Sequence, residues 1–128
     1  NPCSISQAAA VEALSGEQKC VAKMVVEFKK RHDFVVKKLN SIPGIHCLES
    51  EGAFYSFFSI EELISKTDKF QNDLEFTEFL INDAKIALIP GSAFGMPNHL
   101  RLSFATSMEN LQIALDRLNN AVISLGIE

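Results

Sequence analysis

Apolar residues recur along this chain with two periods, and the points where one gives way to the other mark its elements. Ser4-Ile5-Ser6-Gln7 has the S-x-x-Q spacing of a capping box and opens an Ala-rich stretch, Ala8 to Leu14, that favours a short helix up to Gly16. Ser15 and Gln18 repeat that spacing around the glycine. Val21, Met24, Val25, Phe28, Val35 and Leu39 then follow at helical intervals as far as Pro43. An unbroken helix over Gly16 to Asn40 is expected, about 37 Å long at 1.5 Å per residue, with Lys29, Lys30, Arg31, Lys37 and Lys38 on its watery side.

Beyond the Pro43-Gly44 turn the pattern shortens. Ile45 to Leu48 and Ala53 to Phe58 read as two strands, or one strand with a bend, on either side of Glu49-Ser50-Glu51-Gly52. Ser59 to Ile64 suits a brief helix, and Lys66 to Asn72 is polar enough for a surface loop. Phe76, Phe79 and Leu80 mark one face of a helix over Asp73 to Asp83, and Ile86 to Ile89 reads as a buried strand ending at Pro90-Gly91. After a loop, Ser92 to Pro97, strict alternation over His99 to Ala105 puts Leu100, Leu102 and Phe104 on one face and Arg101, Ser103 and Ala105 on the other. Ser107 caps a last helix with Leu111, Leu115, Leu118, Val122 and Leu125 at 4-3-4-3 spacing, closed by Gly126. Helices with a few strands and no repeating βαβ run give an α+β fold, a two-layer sandwich of helices on a small, mostly antiparallel sheet.

Composition narrows the function classes. The 128 residues are 47% hydrophobic and 22% charged, the range of an ordinary globular domain, and ten Phe against no Trp and one Tyr make its core aliphatic and Phe-rich. Twelve Lys+Arg against sixteen Asp+Glu give a net charge of -4, with no run of five like charges, so neither nucleic acid nor an anionic membrane is an expected partner. Apolar runs fall far short of the roughly 18 to 20 residues that span a bilayer. Cys3, Cys20 and Cys47 are odd in number and widely spaced, which suggests a reducing, cytoplasmic compartment. The opening Asn1-Pro2-Cys3 suggests an N-terminus made inside a longer protein.

Arg101 is the first candidate for chemistry, since it sits mid-strand just after a Gly-rich loop. A guanidinium held there can take a carboxylate through two parallel hydrogen bonds; on spacing alone, an Arg on the wet face of an amphipathic strand is the commoner case. Pro90-Gly91-Ser92-Ala93-Phe94-Gly95 is neither a P-loop nor a dinucleotide fingerprint. Glu51-Gly52-Ala53-Phe54-Tyr55 pairs a glycine with two rings that suit a pocket wall or a core. His32, His46 and His99 stand apart, and His46-Cys47 alone falls short of a metal-ligand set, so no metal is expected. No G-x-S-x-G or triad context supports a hydrolase.

Together these stretches resemble one family. Asn1-Pro2-x-Ser4-Ile5-x-Gln7-x-Ala9-Ala10, then Glu51-Gly52-Ala53-Phe54-Tyr55-x-Phe57, then Pro90 to Gly95, then Leu100-Arg101-Leu102-Ser103-Phe104-Ala105-Thr106-Ser107-x-Glu109-x-Leu111-x-x-Ala114 are similar, in order and separation, to the C-terminal part of class I aspartate aminotransferases, pyridoxal-phosphate enzymes of fold type I. The likeness runs from residue 1 to about 125.

The resemblance implies that Arg101 grips the substrate α-carboxylate, that Phe54 lies close to the substrate, and that Gly52, Phe94 and Gly95 line the cleft. Met24 and Phe28 become core or domain-interface residues. It also implies that residues 1–15 connect from a large domain and that 16–128 form the small domain of a homodimer. The family's pyridoxal-phosphate lysine and the groups that hold the cofactor lie upstream. Lys19, Lys23, Lys37 and Lys66 have no such setting, so no catalytic or cofactor-binding residue is expected in this chain. The function implied is amino transfer between aspartate and a 2-oxo acid such as 2-oxoglutarate, with the chain alone inactive. The alternatives are another fold type I aminotransferase or lyase (aromatic, alanine or prephenate), or a free-standing amino-acid-binding or interaction module.

Overall fold

The computed structural model describes residues 1–127. Helix α1 (Ser4–Ser15) is followed at once by α2 (Lys19–Leu39), the two separated at Gly16. A two-residue strand β1 (His46–Cys47) and the longer β2 (Tyr55–Ser59) lead to a short α3 (Glu61–Ser65). Helix α4 (Asp73–Phe79) continues into a wide π turn, Leu80–Ala84, which ends at Lys85 in the left-handed region with φ 57°. Strand β3 (Ile89–Pro90) and a 3₁₀ turn (Gly91–Phe94) precede β4 (His99–Ser103) and the closing helix α5 (Met108–Ser124).

The strands form one antiparallel sheet in the order β1-β2-β4-β3. Ser56, Phe58, Leu100 and Leu102 point to one face and are buried. Val35, Val36 and Leu39 of α2 and Leu111, Leu115, Leu118 and Val122 of α5 join them in a single core, so the helices cover one side of the sheet. The two-layer α+β sandwich expected from the alternation is the observed fold. Its other face, with Tyr55, Phe57, Ser59, His99, Arg101 and Ser103, is only partly covered.

Local differences have physical causes. Neither capping box forms: Cys3 and Gln18 occupy the N-cap positions without side-chain caps, while Gln7 Nε2 donates to the Pro2 carbonyl and Gln18 Nε2 to those of Ala13 and Gly16. Ser107 and Asn72 do cap, their side-chain oxygens accepting from the amides of Asn110 and Glu75. The expected strand over Ile86 to Ile89 pairs only at Ile89 and Pro90; Ile86 and Leu88 are buried without a ladder partner, and the Ile86 N–H is instead taken by the Leu80 carbonyl of the π turn at 3.0 Å. The opposite edge is closed by Asn40, whose amide receives the Cys47 N–H at 2.8 Å and donates to the Cys47 carbonyl at 2.9 Å, as a further strand would.

The largest departure is at the N-terminus. Every residue of α1 is free of the core, and Val21, Met24 and Val25 on the first half of α2 are exposed. The apolar stripe of α2 is buried in this chain only from Phe28 onward. Among the described residues no helix is long and apolar enough to cross a membrane.

Candidate functional site

Strand pairing builds the open face residue by residue. Arg101 lies opposite Phe57 on β2 and opposite Ile89 on β3, so it occupies the middle of the sheet. Alternation turns its side chain away from Leu100 and Leu102, toward the uncovered side. There the guanidinium carbon stands 4.6 Å from the centroid of the Phe94 ring and 5.2 Å from that of Tyr55. Phe57 meets Phe94 edge-on at 6.2 Å and stacks on His99 at 5.3 Å with the planes 17° apart. Tyr55, Phe57, Phe94 and Met96 bound a depression of about 290 Å³ beside the guanidinium.

Arg101 is half-buried, and among the described residues no carboxylate pairs with it. Aromatic faces hold a guanidinium by its π surface and leave the N–H edge free, so the arrangement presents a fork of donors to an anion in a partly dry setting. The carboxyls that depart from ordinary values belong to helical surfaces elsewhere. Glu62 is held low by Lys66 and then by His46, Asp33 by Lys29 and then by His32, and Asp116 by Gln112 and then by Lys38. None of these three carboxyls belongs to the open face of the sheet. That open face supplies a guanidinium, a phenol, an imidazole and hydroxyls but no lysine amine and no carboxylate, a donor set that does not by itself fit pyridoxal phosphate.

The turn beneath Phe94 needs its glycines. A Cβ on Gly91 would run into the Met96 carbonyl oxygen and come within 2.7 Å of His99 Cβ, and Gly95 has φ 77°. Phe54, half-exposed, meets the Tyr55 ring edge-on at 5.7 Å, and its carbonyl accepts the Phe104 N–H at 2.8 Å. Gly52 lies apart from the Arg101 face. With Ser50 and Ala53 it borders a groove against Met24, Phe28 and His32, and the loop is tied to α2 by the Ser50 N–H donating to His32 Nε2 at 3.2 Å.

Arg101 and Phe94 are thus brought together, with Gly95 closing their turn, while Phe54 and Gly52 lead away along one loop. Tyr55, one of the two rings that suit a pocket wall in the sequence, does stand beside Arg101, whereas nothing in the sequence marks Phe57 and His99 as its neighbours. Their parity with Arg101 was readable, but which strand lies beside which was not. A depression of about 540 Å³ between the π turn and α5 holds Lys85 and Arg117, yet Arg117 Nη1 is engaged by the Lys85 carbonyl at 3.1 Å. Among the described residues no His, Cys, Asp and Glu cluster suits a metal ion.

The helix-backed antiparallel sheet is an α+β fold shared with solved aminotransferases of fold type I. Residues 1–118 match the family model for aminotransferase class I and II, and the chain belongs to that family. An aspartate/prephenate aminotransferase of Nitrosomonas europaea is 47% identical over 123 residues, covering 92% of this chain and 31% of the relative. The crystal structure of the aspartate aminotransferase from Rhizobium meliloti superposes with a TM-score of 0.86 at 38% identity, over 97% of this chain and 32% of that one. Alanine aminotransferase from Pyrococcus furiosus gives 0.88 at 32% identity, over 96% and 30%. The chain spans about a third of the length of the curated relatives it matches.

Proposed function

We propose that this chain is the C-terminal small domain of a pyridoxal-phosphate-dependent aspartate aminotransferase, which moves an amino group between aspartate and a 2-oxo acid such as 2-oxoglutarate. The observation that carries this reading is Arg101, mid-sheet, flanked by Phe94 and Tyr55 and without a carboxylate partner among the described residues. Arg101 grips the substrate α-carboxylate, Phe54 lies near the substrate, and Gly52, Phe94 and Gly95 line the cleft. Pyridoxal phosphate, when bound in the whole protein, supplies the electron sink; the lysine that holds it and the groups around its phosphate and ring lie outside this chain.

Residues 1–15 form the connection from the large domain and 16–128 the small domain proper. The absence of buried residues in α1 supports that division. The exposed Val21, Met24 and Val25 support a surface covered by the large domain or the second subunit of a homodimer. The free Cys3, Cys20 and Cys47 support a cytoplasmic location. A prephenate-accepting transaminase is the second reading, favoured by the name of the 47% identical relative.

The full-length protein is expected to transfer the amino group of aspartate, and failure to do so would remove aspartate from the reading. The 128-residue chain alone is expected to be inactive. Lys29, Lys30, Lys38 and Lys66 sit in surface ion pairs and Lys85 Nζ donates to the Asn82 carbonyl. A visible absorbance band on titrating the chain with pyridoxal phosphate, mapped to one lysine, would show that the chain holds cofactor chemistry after all.

A further inference from the structure

We propose that Asp73 is a positioning residue for the carboxylate site: its buried carboxylate anchors the Gly91–Phe94 turn to α4 and so keeps Phe94 against the Arg101 guanidinium. This rests on the reading of Arg101 as the carboxylate clamp.

Asp73 is 1% exposed, an unusual place for a carboxylate. Burying one is costly unless it is hydrogen-bonded, so its partner indicates its use. That partner is nineteen residues away: Asp73 Oδ2 accepts the backbone N–H of Ser92 at 2.7 Å. The helix behind it is well fixed. Phe76 and Leu80 are fully buried, Asn72 caps the helix, and Thr77 Oγ1 donates to the Asp73 carbonyl at 2.6 Å.

Gly91, at the start of the turn, packs against His99 of β4, while the rest of the turn reaches outward to Phe94. Its own bonds, Gly95 N–H to the Ser92 carbonyl and Met96 N–H to that of Gly91, close it on itself. Among the described residues, the hydrogen bond that joins its interior to another element is the one from Ser92 to Asp73. Phe94 is 51% exposed and has no core to seat it; its place above Arg101 is set by the backbone of this turn and by the edge of Phe57. Releasing Ser92 frees the turn, and with it one of the two aromatic walls that orient the guanidinium.

The test uses the full-length holoenzyme with Asp73→Ala, Asp73→Asn, Phe94→Ala, the double variant Asp73→Ala/Phe94→Ala, and Arg101→Lys. Loss of one hydrogen bond predicts a rise in KM for the amino-acid substrate of roughly tenfold in Asp73→Ala, with kcat changed by less than about twofold. Asp73→Asn retains an oxygen that can accept from Ser92 and should return KM to within about threefold of the parent. If Asp73 acts through Phe94, the double variant is no worse than Phe94→Ala.

Wild-type KM in Asp73→Ala, an Asp73→Asn variant as impaired as Asp73→Ala, or multiplying effects in the double variant would each overturn the proposal. If Asp73→Ala does not fold, Asp73→Leu fills the buried site without an acceptor and takes its place. Arg101→Lys separates the two readings. An unchanged KM there sinks the clamp, whereas a raised KM there beside an unaltered Asp73→Ala sinks only the role of Asp73.

Discussion

The guanidinium carbon of Arg101 lies 4.6 Å from the centroid of the Phe94 ring, although Phe94 belongs to a turn and Arg101 to the strand that follows it. The ring of Tyr55, from the neighbouring strand, has its centroid 5.2 Å from the same carbon. A cation held against aromatic rings loses little further entropy when its donor edge takes up an anion, which is the property a carboxylate site needs.

Replacement of Arg101 tests that edge. Arg101→Lys keeps the charge and loses the planar fork, so one of two charge-assisted hydrogen bonds, each worth about 1.5 to 3 kcal/mol, should go. In the full-length enzyme kcat/KM for aspartate is expected to fall by roughly ten- to a hundredfold, and further in Arg101→Ala. Steady-state kinetics of the two variants measure this, and a wild-type value in Arg101→Ala would disprove the clamp.

Leu100 and Arg101 are neighbours on opposite faces of β4, and stability should tell them apart. Leu100 is 0% exposed, so Leu100→Ala is expected to cost about 2 to 5 kcal/mol through lost burial and a residual cavity. Arg101 is half-buried on the opposite face, and Arg101→Ala should lower stability by much less. Denaturant unfolding of the two variants checks the order; a reversed order would make Arg101 a structural residue.

The cysteines should differ in reactivity. At Cys3 the backbone amides of Ser6 and Ile5 at the start of α1 favour the thiolate and hold its pKa below the usual thiol value, whereas burial pushes the Cys47 thiol up. A limiting alkylating agent at neutral pH should label Cys3 well before Cys47 in the folded chain, as peptide mapping would show. Equal rates would mean that the chain around Cys47 opens as readily as its N-terminus.

Acid stability follows from Asp33, Glu62 and Asp116, each held below the ordinary carboxylate range by a hydrogen-bonded neighbour. A depressed folded-state pKa contributes stability that is complete above the unfolded value, near pH 4, and is lost as pH falls through the folded value. Melting temperature should therefore be level from neutral pH down to about 5 and decline below about 4. Glu62 binds both His46 and Lys66, so Glu62→Gln should make that acid decline shallower. All three carboxylates are at the surface, and the change is expected to be small.

Local chemistry in the sequence was enough for the helices with long apolar stripes, for the Ser107 cap, and for the alternation that puts Leu100, Leu102 and Phe104 inward and Arg101 outward. Such features depend on neighbours within a turn or two of the chain, and periodicity records those neighbours directly. Motif order likewise placed the chain in its family, since Gly91 and Gly95 are demanded by their own turn. Strand order was a different matter. That β2 lies between β1 and β4, and so sets Tyr55 and Phe57 beside Arg101, depends on long-range pairing that β1, with two residues, scarcely announces. The buried bond from Asp73 to Ser92 was equally illegible, because an acidic residue in the first turn of a helix looks the same in sequence whether it faces water or another segment. The exposed stripe of Val21, Met24 and Val25 shows the same limit from the other side. Periodicity says that an apolar face will be covered, and only the tertiary structure says that this chain does not cover it.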